Sequence, residues 1–529
     1  MSGLRYTALY PVLFAATRVL YVAAYNPGQF AVGDLLIVLA STLALTIALY
    51  AAAWLLFRGR LQGMLPALAT FMVLAWIFGA PPIEESLTGA GLQVPGFLLG
   101  LAAAVATVVL AYGLVRHPRT LRFGEKLLTA TYTLLLVYLG VAIVRNVVNA
   151  REHVAGSLLA SDLAKPVAAQ PPLAANRSRN IYVLVLDEYD NAEILREVLD
   201  FDNTRFEDSL RALGFHVPRS VHSNYAHTYL SLPSFLNAAH VSRVEGELPR
   251  GSDDPTLLNS LVDRSRVARF LQEQGYRFVF FPSAWWNSTR ASRAADSVVE
   301  VMPWFSLGRE VSRTEFRRVF RRNTLAWRVY TEAGGDYAIV RGTLDGVGRI
   351  PVVPGPVFAF AHLMSPHPPH VFGPSCGERP TEWDRDPASY LTDLECLNRL
   401  LLATVTRLIQ TSEVPPVIIL QGDHGTTFRR FADAPDLSRV DRAAVRERMG
   451  AFGAYYLPDG GAAALGDTVT VVNVLGHVMR FYFGAELPRE PDDLFVSLNR
   501  APFEFRKVDI GWLGRAEPSP SVAATGHRP

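Results

Sequence analysis

The chain has 529 residues, enough for two or more domains, and its 51 Lys and Arg stand against 49 Asp and Glu for a formal charge of +2. So balanced a charge gives no electrostatic support to a nucleic-acid partner. Half of the residues are hydrophobic and unevenly spread: Ala, Leu and Val dominate the first 150 positions and charge is concentrated afterwards, the composition of a membrane segment followed by a water-soluble part.

Five apolar stretches come first, at residues 6–24, 31–57, 61–79, 94–114 and 127–147. Most approach or exceed the roughly 20 residues that cross a bilayer as helix. The first is short and carries Arg18, which interrupts its apolar core. No small-residue cleavage pattern follows, so it reads as a span, with a re-entrant or cleaved segment as the alternative. Arg58 and Arg60 follow the second stretch, and Arg116, Arg119, Arg122 and Lys126 lie between the fourth and fifth; the loop after the third carries Glu84 and Glu85 instead. The positive-inside rule then places the amino terminus and both basic loops in the cytoplasm, and everything beyond Val147 on the far side. The expected organisation is a multi-pass α-helical membrane domain over residues 1–150, a linker over 151–178, an extracytoplasmic domain over 179–512 and a disordered tail over 513–529. Lys165-Pro166 and Gln170-Pro171-Pro172 mark the linker as semi-extended.

Beyond it, strand-like runs at 181–186, 276–281, 357–361, 417–420 and 452–457 alternate with helical patterns at 190–199, 205–213, 257–274, 388–410 and 471–483. This alternation predicts an α/β domain with a largely parallel sheet flanked by helices. Such sheets place their sites beyond the carboxyl ends of the strands, where Asp187, His362 and Asp423 fall.

Several segments could carry chemistry. Asp187-Glu188 ends the first strand; Asp187 also reads as a helix N-cap, a role open equally to Asp190. The segment from Ser223 to Ser234 holds Ser223, Thr228, Ser231 and Ser234, hydroxyls that a divalent metal could activate against phosphorus. It reads otherwise as a polar loop before a helix capped by Ser231, with Pro233 in the first turn. Trp285 and Trp286 suit stacking on a sugar or, more commonly, packing. His362, His367 and His370 follow the third strand in a proline-fixed loop, placed to bind metal or to hold an anionic substrate and protonate its leaving group. Cys376 and Cys396 are the only cysteines, either one disulfide of an oxidising compartment or two separate thiols. Asp423-His424-Gly425 ends the buried run Val417-Ile418-Ile419-Leu420 and offers an oxygen and an imidazole side by side, as a zinc-like cation needs. His477, on an apolar helix, reads as a satisfied core or surface histidine.

Together these residues resemble the alkaline-phosphatase/sulfatase superfamily, in its membrane-anchored branch of lipid A phosphoethanolamine transferases and lipoteichoic acid synthases. That branch carries five transmembrane helices ahead of an extracytoplasmic catalytic domain. Asp423-His424-Gly425 looks like the family's metal-binding Asp-His-Gly, and Asp187 matches the acidic ligand ending the first strand. Thr228-Tyr229-Leu230-Ser231-Leu232-Pro233-Ser234 is similar to the transferase motif Thr-x-x-Ser-x-Pro-Cys, whose Thr is the nucleophile. His362 and His367 reproduce the transferases' substrate-side pair in His-x-Met-x-x-His form. Three departures stand out. Ser234 replaces the motif's cysteine; no histidine follows Asp-His-Gly among 426–448 to serve a second metal; and Phe235 replaces the Arg of the sulfatases' Cys/Ser-x-Pro-x-Arg, which argues against a formylglycine at Ser231.

The resemblance implies an ion, zinc first and Ca, Mg or Mn as the other divalent candidates, held by Asp187, Asp423, His424 and Thr228. Thr228 would be the nucleophile, His367 or His362 the acid on the leaving group, His370 and Ser231 substrate-side contacts, and Glu188 a group orienting a ligand from behind. The expected reaction moves a phosphoryl-linked headgroup from a phospholipid in the bilayer to a cell-envelope glycan through a phospho-threonine. The rivals are a sulfate or phosphate ester hydrolase on the same scaffold and a non-catalytic anchored domain that binds glycans or partners. The sequence carries no signal of oligomeric state.

Overall fold

Every residue of Ile181-Tyr182-Val183-Leu184-Val185-Leu186 is apolar, which suits a strand covered on both faces. The computed structural model describes residues 9–26, 32–57, 64–89, 116–169, 179–283, 294–299, 335–379, 385–431 and 436–513, with isolated positions between. In it this run is β1 (Ile181–Leu186), buried throughout. The other strands are β2 (Ser220–His222), β3 (Arg277–Phe281), β4 (Ser297–Val298), β5 (Val357–Leu363), β6 (Val417–Gly422), β7 (Gly453–Tyr456), β8 (Thr468–Thr470), β9 (Asp493–Leu498) and β10 (Ala501–Asp509). The main sheet runs β4-β3-β5-β1-β6-β7. It is parallel except for β7, which returns antiparallel at the edge.

Period-two alternation sorts β1 between two cores. Ile181, Val183 and Val185 pack with Leu232 and Phe235 of the helix Thr228–Asn237 and with Val474 and Val478 of the helix Val471–Phe483. Tyr182, Leu184 and Leu186 pack on the other face with Leu394, Leu397 and Leu401 of the helix Pro387–Thr411. Each such aliphatic side chain taken out of water contributes roughly 1.5–3 kcal/mol. The register sets Val185 beside both His362 and Gln421, and Leu186 beside Gly422. Asp187 and Asp423 therefore leave the sheet side by side, and alternation turns Asp187 to the same face as His362.

Several elements differ from the sequence expectation. The helical pattern 257–274 is two helices, Thr256–Asp263 and Arg266–Glu273, because Ser265 caps the second by accepting from the Ala268 amide. Ser231 is not an N-cap: the helix begins at Thr228 behind His227, and Ser231 lies inside it. The hairpin β9–β10 carries no clear sequence pattern, since β10 sets exposed Glu504 and Lys507 between buried Phe503 and Val508 without strict alternation. The start of the linker is not extended. Leu158–Leu163 is a helix that buries Leu159 and Leu163 against Leu257, Leu258 and Leu261. Residues 170–178, Trp285, Trp286 and the tail beyond Leu513 lie outside the described residues.

Residues 1–152 with 305–333 form one compact unit, and 153–304 with 334–529 another. The first contains the helices Leu9–Ala24, Val32–Phe57 and Met64–Gly89 and most of Pro118–Gly156. Val32–Phe57 and Arg119–Gly156 are long and apolar enough to cross a membrane, and only 17% and 6% of their apolar windows are buried, unlike core helices of a soluble protein. Leu9–Ala24 and Met64–Ala80 are shorter. The guanidinium of Arg18 sits 5.8 Å from the Tyr21 ring and 5.7 Å from that of Phe78, which accommodates it on an apolar helix. The expected span at 94–114 falls almost wholly outside the described residues.

Candidate metal centre

Asp187 and Asp423 sit one position past β1 and β6, where the chain leaves the sheet. The Asp187 amide still donates to the Leu363 carbonyl at 3.0 Å, but both of its carboxylate oxygens are buried without a hydrogen-bond partner. Oδ1 of Asp423 accepts from the amides of His424 at 2.9 Å and Glu188 at 3.2 Å, while Oδ2 has none. Nε2 of His362, 3.2 Å from Oδ2 of Asp187, is likewise without a hydrogen bond. One donor atom each from Asp187, His362 and Asp423 lies within 4.8 Å of the others, all buried.

Burial pushes both carboxyls above the ordinary range, and the neighbouring Asp187 charge raises Asp423 further. The same burial pushes His362 down to about 4, so its imidazole is neutral and ligand-competent. Its Nδ1 lies 3.0 Å from Oγ1 of Thr289, itself 2.6 Å from the Ser283 hydroxyl, which directs Nε2 at the aspartates. Buried unpaired carboxylates are costly unless a cation offsets them. The contacts fit one: two ligands about 2.0–2.1 Å from a tetrahedral ion lie about 3.3 Å apart. The group suits a divalent metal.

His424 continues the row. Its Nε2 is 3.2 Å from Oδ2 of Asp423 and 2.9 Å from Oγ1 of Thr228, the first residue of its helix. Burial, then the neighbouring Arg448, holds this imidazole well below its usual range and neutral. Ser231 has a different task. It is 2% exposed, and its hydroxyl donates to the Asp423 carbonyl at 2.6 Å, as does that of Ser223. The hydroxyl-rich segment thus divides: Thr228 faces the donor row, whereas Ser223 and Ser231 brace the strand end.

The three histidines of the proline-fixed loop also separate. His362, expected on the substrate side, joins the aspartates. His367 is partly buried, with Nε2 3.9 Å from Oε1 of Glu188 and its amide donating to the Asp187 carbonyl at 3.1 Å. His370 is buried with Nδ1 3.7 Å from Asp393, whose carboxylate also accepts from the amides of Val371 and Phe372. That clamp ties the loop to the helix Pro387–Thr411. Cys376 and Cys396 join in a disulfide between the same two segments.

Arg448 escaped the sequence reading altogether. Near the end of a short helix before β7, it is buried and donates to Oε1 of Glu188 at 2.8 Å and to the carbonyls of Ala226 at 2.6 Å and Gly425 at 2.7 Å; Nη2 is 3.2 Å from Nε2 of His424. Burial alone would raise Glu188, but His367, Arg448 and Arg385 together hold it at about 2. No local motif marks Arg448, because antiparallel return of β7 brings it there. Thr289 is equally silent in sequence. The glycine of Asp-His-Gly has a steric reason: a Cβ at Gly425 would collide with the carbonyls of Glu447 and Gly450 and with Asp190.

No family model and no curated protein sequence matches the chain. Solved structures do resemble it. The C-terminal periplasmic domain of Escherichia coli EptC in complex with Zn aligns at 11% identity and a TM-score of 0.40, over 63% of this chain and 94% of that one. The lipoteichoic acid synthase LtaP of Listeria monocytogenes aligns at 12% and 0.38, over 64% and 82%. A protein in the alkaline phosphatase superfamily from Vibrio parahaemolyticus aligns at 12% and 0.38, over 65% and 78%. At such identities and scores the likeness carries no argument about chemistry.

Proposed function

We propose that the chain is a membrane-anchored, metal-dependent enzyme of the alkaline-phosphatase/sulfatase type, moving a phosphoryl-linked headgroup from a phospholipid to a cell-envelope glycan. The carrying observation is the placement of Thr228 Oγ1 2.9 Å from His424 Nε2, at the open end of a row of buried, hydrogen-bond-poor donors. Ser231, the alternative nucleophile, is buried with its hydroxyl committed to the Asp423 carbonyl.

A divalent ion, zinc by choice, held by Asp187, Asp423, His424 and Thr228 with His362 alongside, would supply positive charge and acidify the hydroxyl. Thr228, its hydroxyl proton released to solvent, attacks phosphorus through Oγ1, forming the Thr228–phosphate ester as the bond from phosphorus to the lipid oxygen breaks. The leaving oxygen takes a proton from His367, the partly exposed histidine beside Glu188. The start of the helix at Thr228 turns its amides toward the developing charge, and Arg448 adds a fixed cation. A glycan hydroxyl then attacks the same phosphorus and gives its proton to His367, while the bond from phosphorus to Thr228 Oγ1 breaks and Thr228 leaves as the deprotonated oxygen that begins the next cycle. His362, buried, neutral and aimed at Asp187, serves the metal rather than the proton.

Two long, apolar and largely unburied helices support anchorage, and the loop arginines support an extracytoplasmic active unit. A hydrolase differs only in taking water as acceptor; Phe235 and the committed Ser231 speak against its formylglycine form. The test is diacylglycerol release by the full-length chain in vesicles of phosphatidylethanolamine or phosphatidylglycerol. Release should depend on added metal and vanish in Thr228→Ala; metal-independent release, or release that survives the substitution, would defeat the proposal.

A further inference from the structure

Asp190 and Glu447 are carboxyls buried completely beside the metal centre, and the transfer uses neither. Asp190 is not the helix cap that its position suggests; Asn191 is, accepting from the Ile194 amide at 3.0 Å. The Asp190 side chain turns instead to buried Thr426. Its Oδ1 accepts the Thr426 amide at 2.9 Å, and its Oδ2 lies 2.6 Å from Thr426 Oγ1. The same Oγ1 is 2.8 Å from Oε1 of Glu447, on the helix Arg442–Met449.

Three oxygens in such a row need two protons between them, and the threonine hydroxyl brings one. The second sits on a carboxyl, because two buried carboxylates cannot both ionise against a single hydroxyl. Glu447 is the better anion. Its Oε1 accepts the Phe428 amide and its Oε2 the Arg429 amide at 2.9 Å. Burial raises it, but Thr426, those two amides and the Arg429 charge oppose the rise. For Asp190, burial and then the Glu447 charge push the carboxyl well above its ordinary range. The groups facing it are Thr426 and Glu447, Glu188, and Tyr390, whose hydroxyl donates to the Glu188 carbonyl at 2.9 Å. Asp190 Oδ2–H therefore donates to Thr426 Oγ1, and Thr426 donates onward to Glu447.

The row reaches His424 through one peptide group. The amide joining Gly425 to Thr426 gives its N–H to Asp190. Its carbonyl lies 3.1 Å from Nδ1 of His424 and accepts from Arg448 at 2.7 Å. A carbonyl only accepts, so Nδ1 carries the imidazole hydrogen and Nε2 turns its lone pair to the donor row. We propose that Asp190 is a positioning residue of the metal centre, a neutral carboxylic acid whose proton ties it through Thr426 to Glu447 and which holds the peptide that sets the tautomer and angle of His424. The inference rests on the metal centre of the function proposed above and not on its transfer reaction.

Competition titration of zinc against a chelating dye, on the full-length chain in detergent micelles, tests it. Asp190→Ala should lower zinc affinity by about 10–100-fold. Asp190→Asn puts an amide N–H where the acid O–H stood and keeps the acceptor for Thr426, so it should restore the affinity. Glu447→Gln turns a donor toward a backbone amide and should weaken zinc as Asp190→Ala does. Infrared difference spectra at neutral pH with zinc present, wild type minus Asp190→Asn, should show the carbonyl stretch of a protonated carboxylic acid. Neither readout needs turnover, so a failed transfer leaves both standing. Zinc affinity equal in all four proteins, Asp190→Asn as weak as Asp190→Ala, or a carboxylate band in place of the acid would each overturn the proposal.

Discussion

Oγ1 of Thr228 lies 2.9 Å from Nε2 of His424, although 196 residues separate them. The contact joins the start of a helix to the end of a strand, so the proposed nucleophile and the proposed metal donors are held by different elements of one core. Thr228→Ala should abolish turnover while leaving the fold intact, because the side chain is only partly buried. Thr228→Ser should retain part of it. Ser231→Ala should instead cost about 1 kcal/mol of stability with turnover preserved, since it loses a buried hydrogen bond and no reacting atom. Denaturation and turnover measured on the same variants separate the two residues; a dead Ser231→Ala of wild-type stability would contradict the assignment.

Thr289 holds His362 from behind through Nδ1. Thr289→Val should lower metal affinity by about 10–100-fold, with Thr289→Ser restoring most of it. Competition titration with a chelating dye reads this without reference to activity. Equal affinity in all three proteins would remove His362 from the metal centre.

Glu188 is held at about 2 by His367, Arg448 and Arg385 against the opposing effect of burial. A carboxyl depressed from 4.5 contributes stability that is complete above pH 4.5 and is lost as pH falls through about 2. Arg448→Gln removes a buried partner, costs about 3–5 kcal/mol and should move the acid limb of unfolding toward neutral pH. Thermal midpoints of both proteins between pH 2 and neutrality check this. Superimposable acid limbs would show that the pair does not set the Glu188 charge.

Gly425→Ala should destabilise the chain by about 1–3 kcal/mol or more, because the added methyl meets backbone carbonyls that cannot swing aside. The same change presses on Asp190 and the loop that follows His424, so metal affinity should fall with it. Wild-type affinity in this variant would mean that the turn is not what positions His424.

The sheet was legible because its central strands are continuous apolar runs, and Asp187 and Asp423 were legible because they end two of those runs. What sequence could not supply is which distant side chains meet there. His362 falls with Asp187 and Asp423 at the strand ends already in the sequence, but the resemblance sets it on the substrate side with His367; the register, which sets it beside Val185, turns it to the aspartates. The pairing of Cys376 with Cys396, left open by two cysteines alone, follows from the same loop lying on the helix Pro387–Thr411. Ser231 looked like a cap because it precedes Pro233, yet the helix starts a turn earlier behind His227. Arg448 and Thr289 carry no local pattern, since tertiary contacts alone give them their place.

The most direct test is the mass of the peptide carrying Thr228 and Ser231, taken from full-length protein after exposure to its native membrane lipids. A phosphoryl-containing adduct on Thr228 is the predicted result, and its mass identifies the transferred group. A formylglycine at Ser231, or a Thr228 that stays unmodified when donor lipid and metal are both supplied, would contradict the covalent transfer at the centre of this account.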